Sequence, residues 1–335
     1  MRRTRRDEGP ARCLLAASTL LCRLAVAGAD QLRFLVMSAP RTGKISWIRL
    51  PEGGDFAGLR PQTLIDEGLQ HPQGLCVDRR RRRLYVADPD MKRIYAYRLA
   101  VVNGALVTDG ARVVVNQGVE SRWVSVDGSG TLFFSDEPGS RILRVSASDA
   151  IRGGAAPSVV YSGSTVAQVS EPGGVAADNF HVFWTNKHFG TETGSLVRGA
   201  VTPGARPFSL ATNSPKSYGV CIAMGNVFYT DSERSVYGAK KNGGGVAEVT
   251  NALQRPRGCA WDGDGTVYVA DRGAGSVYAF ASNMHVISRA QMREAFEFDD
   301  AFGLALVTAA GRRGARASWL GAAAACVLAL AAGHL

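Results

Sequence analysis

One pattern recurs along this chain and limits its fold more than any other feature. A lead-in turn, a glycine and a short apolar strand appear as "HPQGLCVD" (71–78), "ESRWVSVD" (120–127), "EPGGVAAD" (171–178), "KSYGVCIA" (216–223), "RPRGCAWD" (255–262) and "DAFGLALV" (300–307). The glycine slot holds Gly74, Trp123, Gly174, Gly219, Gly258 and Gly303, in steps of 49, 51, 45, 39 and 45 residues. Each of the first five units is followed by a β-rich hexamer ending in Asp or Asn: "RLYVAD" to Asp88, "TLFFSD" to Asp136, "HVFWTN" to Asn186, "NVFYTD" to Asp231 and "TVYVAD" to Asp271. A third apolar run follows each hexamer. A fourth, such as "RVVVNQG", "SVVYSG", "PFSLATN" or "VAEVTN", precedes the next unit. Short runs of Val, Ile, Tyr, Phe and Trp between Gly, Asn and Asp turns are strand signals.

Four strands in each repeat of about 40–50 residues make one blade of a β-propeller. The ends settle the number of blades. "FLVMSAPRTGKISWIRL" (34–50) and "QTLIDEG" (62–68) supply a second, third and fourth strand without a first. "FGLALV" (302–307) is a first strand with nothing after it. Together they complete a sixth blade and close the ring, which removes free sheet edges. The expectation is an all-β, six-bladed propeller over residues 30–308, with a short helix in "SRAQMREAFEFDD" (288–300). Because strands alternate in direction, the lead-in turns share one face with the turns between strands two and three. The turns between strands one and two lie on the opposite face.

The net charge of +10 suggests nucleic acid, yet its distribution does not. Residues 1–29 and the last stretch of chain carry most of it, and the run Arg79–Arg83 supplies the rest, so no broad basic footprint remains. Nucleic acid is not an expected partner. The arginine run fills a slot where sibling blades carry "DGSGT", "DNFH", "AMGN" and "DGDGT", and so reads as a solvated turn. Binding of an acidic partner or polyanion, or processing by a basic-site protease, is the alternative.

Both ends read as targeting segments. "MRRTRRDEGPAR", the apolar stretch Cys13–Cys22 and small residues up to Ala29 fit a secretory signal peptide over 1–29. Arg23 interrupts the apolar stretch and leaves an uncleaved signal anchor open. The tail 309–335 ends in an apolar stretch from Trp319 to Leu335. Small residues at Ala309-Ala310-Gly311 and a polar spacer fit a GPI-attachment signal, while the apolar length also fits a short membrane span. The expectation is a secretory-pathway protein tethered to the membrane, at the cell surface or in a lumen.

The body cysteines Cys76, Cys221 and Cys259 are odd in number and widely spaced, which favours buried free thiols over a disulfide framework. No Asn-x-Ser/Thr acceptor occurs. The aspartates that end the hexamers recur in four blades, which favours turn-holding over metal binding. "DGDG" (262–265) matches only part of a calcium loop.

"HPQGLCVD…RLYVADPDMKRIYAY" and "RPRGCAWDGDGTVYVADRGAGSVYAF" resemble NHL repeats and the gluconolactonase and strictosidine-synthase-like propellers. "HVFWTN" and "NVFYTDSERSVYGAKKNGGG" resemble the YWTD repeats of low-density-lipoprotein-receptor propellers. The resemblance covers roughly residues 31–308 and implies the fold; it does not choose a function, because these families share one scaffold. Lactonase-type members hold a divalent metal with Glu, Asn and Asp before the glycine slot. Here those positions are Gln73, Arg122, Gly173, Tyr218, Arg257 and Phe302, and none is a carboxylate. No metal or other cofactor is therefore expected, and no catalytic residue is assigned. One step outward stand His71, Glu120, Glu171, Lys216, Arg255 and Asp300, among which Glu120 or Glu171 is a candidate base. His181 and His188 lack a second ligand at metal spacing and read as ordinary turn residues. No serine-hydrolase, zinc-protease or P-loop motif is present.

The reading that follows is a monomeric propeller used as a non-catalytic binding module for a protein, peptide or glycan. The candidate ligand-binding residues at the channel mouth are Gln73, Arg122, Tyr218, Arg257, Phe302, His71, Glu120 and Glu171. The alternative is a propeller hydrolase of the gluconolactonase or strictosidine-synthase-like type with a non-standard site.

Overall fold

The computed structural model describes residues 31–187 and 194–310. The leader, His188 and almost all of the C-terminal tail lie outside the described residues. Within them the chain forms six four-stranded antiparallel sheets. Blade 1 begins with β1 (Gln31–Ala39), β2 (Lys44–Arg49) and β3 (Gln62–Ile65). Blade 2 holds β4 (Leu75–Asp78), β5 (Arg83–Asp88), β6 (Arg93–Val102) and β7 (Ala105–Gln117). Blade 3 holds β8 (Val124–Val126), β9 (Leu132–Asp136), β10 (Arg141–Val145) and β11 (Ser158–Ser162), with the short helix α1 (Ala147–Arg152) before its last strand. Blade 4 holds β12 (Pro172–Ala177), β13 (His181–Asn186), β14 (Gly194–Ala200) and β15 (Phe208–Ser214). Blade 5 holds β16 (Ser217–Ala223), β17 (Asn226–Asp231), β18 (Val236–Lys240) and β19 (Val246–Thr250). Blade 6 holds β20 (Pro256–Trp261), β21 (Thr266–Asp271), β22 (Ser276–Ala281) and β23 (Arg293–Glu297). Finally β24 (Leu304–Ala310) pairs with β1, so blade 1 is completed by the far end of the chain. The fold is the expected six-bladed propeller.

The second strand of each blade is buried on both sides. All six residues of β5 and of β17 are buried, since each blade faces a neighbour on either side. This is why these hexamers read as continuous apolar runs rather than alternating ones. The core is divided among the blade interfaces. Trp184 of blade 4 lies 5.1 Å from Tyr161 of blade 3, and Phe228 of blade 5 lies 5.1 Å from Phe280 of blade 6. Burial of such rings contributes about 1.5–3 kcal/mol each.

Two expectations are corrected. Segment 288–300 contains no helix; it contains β23, whose Phe296 pairs with Val277 of β22. Ala295 and Phe296 are buried while Arg293, Glu294 and Glu297 are exposed, so covering the open edge of blade 6 overrides local helix propensity. The second correction concerns sulfur. Cys221 and Cys259 form a disulfide between the inner strands β16 and β20, with Cα atoms 5.6 Å apart. Ring geometry brings together two cysteines that are 38 residues apart in the chain. Cys76 remains a free thiol, with burial pushing its pKa well up.

The glycine slot has a geometric cause. A Cβ on Gly219 would sit 2.2 Å from the Arg257 carbonyl oxygen, and one on Gly303 would sit 2.1 Å from that of Gln73. The inner strands of adjacent blades approach here too closely for a side chain. Hydroxyl residues one position before the end of the buried strand, Ser38, Thr185 and Thr230, lace this layer. The Thr230 hydroxyl accepts from the Gly219 N–H at 2.9 Å and donates to the Arg257 carbonyl at 2.8 Å. Ser38 bridges Gly303 and Gln73 in the same way, at 2.8 and 2.6 Å. Thr185 accepts from Gly174 at 2.8 Å and donates to the Tyr218 carbonyl. In blades 2 and 6 this position is Ala87 or Ala270, and the glycine N–H bonds the next blade directly: Gly74 to Arg122 and Gly258 to Phe302, both at 2.9 Å.

Candidate functional site

The hexamer-ending acids hold turns. Asp231 accepts from the N–H groups of Glu233, Arg234 and Ser235 at 2.8–2.9 Å. Asp271 accepts from Gln254 and Arg255 at 2.7 and 2.8 Å, and Asp88 from Gln70 and His71 at 2.7 and 3.1 Å. Asp136 accepts from Gly139 and from the Arg141 guanidinium. The acids of the opposite face act alike: Asp262 accepts from Asp264 and Thr266, and also pairs with Arg33 at 3.2 Å. Among the described residues no group of three His, Cys, Asp or Glu side chains is placed to hold a metal.

The arginine run lies on that opposite face. Residues 79–82 form the turn between β4 and β5, and Arg83 is buried at the start of β5. Arg79, Arg80 and Arg82 are exposed. Arg81 folds back on Asp78 at 2.9 Å and reaches the glycine turn of blade 3 at Gly130. His181 opens β13 just after the equivalent turn of blade 4, its Nδ1 3.7 Å from Asp178.

At the mouth, Arg122, Glu120, Tyr218, Arg257 and Phe302 of the expected residues make side-chain contacts, while Gln73, His71 and Glu171 make none with them among the described residues. Phe302 is 6 % exposed and lies against Trp123, ring centroids 5.2 Å apart, where the Trp123 ring fills the only non-glycine slot. The channel holds a cavity of about 200 Å³ lined by Trp123 itself, by Leu75, Val124, Val175 and Leu304 and by the disulfide cysteines. Tyr218 lies between two cations: the Arg257 guanidinium is 4.4 Å from its ring centroid and the Lys187 ammonium 5.0 Å. Such contacts favour holding the cations in place by about 0.5–2 kcal/mol each. Arg122 pairs with Glu120 at 2.6 Å and with Glu137 at 3.1 Å, and Glu137 also takes Lys187 at 2.5 Å. Across the mouth, Asp300 is fully buried and takes Arg272 at 2.6 Å and Arg41 at 3.3 Å. Gln73 is buried; its carbonyl takes part in the lacing while its side-chain oxygen has no partner. His71 is peripheral, 4.0 Å from Asp90. Glu171 is half-buried at φ 47°, and its backbone carbonyl accepts from the Lys187 N–H.

Charge crowding is visible in the titration of these groups. Burial holds the Lys187 ammonium below the usual lysine range against the pull of Glu137, and Arg122 and Arg257 push the same way as burial. Burial also lowers Arg257; Tyr218 opposes this while Arg272 and Arg255 reinforce it. The cations of the mouth therefore share one electrostatic environment.

Sequence reasoning missed Glu137, Lys187 and Arg272, which bind this network together. All three directly follow the acid or amide that ends a hexamer: Asp136, Asn186 and Asp271. That slot opens on the mouth face by strand alternation, so the signal was present in the repeat. Trp123 was legible as an exception in the glycine slot, but its contact with Phe302 from two blades away was not.

A fold and mouth of this kind define a six-bladed β-propeller with aromatic and cationic side chains grouped at one mouth. No protein-family model matches the chain, and no curated protein matches it. Among solved structures the chain is similar to one in the crystal structure of a nidogen/laminin complex, with TM-score 0.64 and 15% identity over 82% of this chain and 98% of that one. It also aligns with a catalytically inactive virginiamycin B lyase from Staphylococcus aureus solved with quinupristin, at TM-score 0.44 and 15% identity over 74% of this chain and 79% of that one. At these identities the likeness concerns the fold.

Proposed function

We propose that this protein is a non-catalytic binding module whose mouth face holds a protein or peptide partner. The observation that carries the reading is the Trp123–Phe302 and Lys187–Tyr218–Arg257 layer over the channel. Aromatic and arginine side chains on a rigid frame are the types that dominate interface energetics. The laced glycine ring supplies the frame and lowers the entropy lost on binding. The solved relative with the higher TM-score comes from a protein–protein complex, which accords with this use of the fold. Most mouth carboxylates are taken by cations, which argues against a free general base among them.

The site is proposed to face the cell exterior or an organelle lumen. The disulfide between Cys221 and Cys259 suits an oxidising compartment, and the leader over 1–29 and tail over 309–335 suit secretion followed by membrane tethering. Among the described residues no helix is long and apolar enough to cross a membrane. Release of the full chain from intact cells by phosphatidylinositol-specific phospholipase tests a GPI anchor; retention favours a span.

The binding surface is tested by selecting displayed random peptides against the full chain. Tyr218→Ala should weaken the selected peptides about tenfold or more, while Phe180→Ala on the opposite face leaves them unchanged. The reverse pattern would move the binding surface to the other face. The hydrolase alternative has one observation in its favour. Among the described residues the Glu171 side chain has no ion-pair partner, which leaves a carboxylate at the rim. Turnover of a simple lactone that is abolished by Glu171→Gln would support that alternative.

A further inference from the structure

We propose that the mouth captures one carboxylate of an acidic peptide segment on the Arg257 guanidinium, a step that rests on the mouth being the binding surface. Arg257 differs from the buried and half-buried cations around it. Arg122, Lys187 and Arg272 each have a carboxylate partner. Arg257 has none among the described residues; its guanidinium makes one hydrogen bond, from Nη1 to the Pro256 carbonyl at 2.7 Å. A guanidinium carries five N–H donors in a planar fork that matches a carboxylate. The Tyr218 ring centroid lies 4.4 Å from the guanidinium carbon, and the Pro256 bond leaves four of the five donors without a protein acceptor among the described residues.

A second observation points to a ligand. Among the described residues the Trp123 indole N–H and the Gln73 side-chain oxygen are both buried without a partner. They belong to one layer, since Gln73 precedes the glycine slot of blade 2 and Trp123 fills that of blade 3. Buried polar atoms are normally satisfied, so an unpaired donor and an unpaired acceptor at a mouth call for a ligand or water that offers both. A peptide offers carbonyls and N–H groups beside its acidic side chain.

The charge pattern favours a single carboxylate over a sulfated glycan. Among the described residues Glu171, two blades from Arg257, has no ion-pair partner, and Asp299 at the rim is largely exposed and paired with Arg41. A polyanion laid across the mouth would meet these acids, whereas one acidic side chain reaches Arg257 alone.

The test uses the full chain and peptides enriched from the displayed random library, resynthesised and measured by fluorescence polarisation. Peptides that depend on Tyr218 should share an Asp or Glu at one position. Replacing it by Asn or Gln should weaken binding about tenfold or more to the wild type and less than about twofold to Arg257→Gln. Arg257→Lys, which keeps the charge and loses the fork, should fall between. Tyr218-dependent peptides without an acidic position, or an equal loss on wild type and Arg257→Gln, would overturn this inference and leave the mouth as the binding surface. If no enriched peptide depends on Tyr218, the binding surface itself is wrong. Heparin oligosaccharide binding that Arg257→Gln abolishes would overturn the peptide assignment in favour of a polyanion.

Discussion

Blades 3 and 5 carry the same two structural positions and use them differently. In blade 5, Gly219 lets the next blade approach and the Thr230 hydroxyl bridges the gap with two hydrogen bonds. In blade 3 the first position is Trp123, and the matching hydroxyl, Ser135, is buried without a partner among the described residues. Blade 5 spends this layer on holding the ring together. Blade 3 gives up that hydroxyl bridge, and in return places an indole against Phe302 over the channel. A repeat protein can make a site by relaxing its repeat in one unit while the other units keep the ring closed.

This contrast can be broken from the strong side first. Gly219→Ala places a methyl 2.2 Å from the Arg257 carbonyl, a clash with backbone that cannot rotate away. It should destabilise the protein by about 3 kcal/mol or more, seen as lost yield of soluble chain or a large fall in Tm. An unchanged melting curve would show that the inner strands are not packed as described. The disulfide is the next largest effect. Cys221→Ser together with Cys259→Ser opens a loop of 38 residues between blades 5 and 6, and should cost about 2–4 kcal/mol in denaturant unfolding. The same loss should follow reductant treatment of the wild type and of Cys76→Ser, which keeps the disulfide, whereas the double variant should show no further loss on reduction.

The finest comparison uses one substitution type in sister blades. Thr230→Val leaves the Gly219 N–H and the Arg257 carbonyl buried without their bridge, and should cost about 1–3 kcal/mol. Ser135→Ala removes a hydroxyl that has no partner, and should change stability by about 0.5 kcal/mol or less, or raise it. Equal losses at the two positions would mean that blade 3 is laced after all.

Much of this architecture was legible because it is periodic. The glycine slot, the acid-ended hexamer and the split blade at the two ends gave the fold, the number of blades and the face on which each turn lies. Turn-holding by Asp88, Asp136, Asp231 and Asp271 was legible for the same reason: a residue needed in every blade serves the blade. The arginine run was also placed correctly as a turn, although the pairing of Arg81 with Asp78 and its reach to Gly130 were not foreseen. Strand β23 was misread because Arg293–Glu297 has no apolar run of its own; only the open edge of β22 makes it a strand.

What the sequence determined by itself is the ring, since strand and turn preferences are local and repeat at a fixed spacing. What only the tertiary structure decided is who meets whom across the ring. Cys221 reaches Cys259, Trp123 reaches Phe302, and Lys187 and Arg257 flank Tyr218. These partners are brought together by closing six blades around a narrow axis. No local preference along the chain encodes that distance, so the site appears only once the ring is shut.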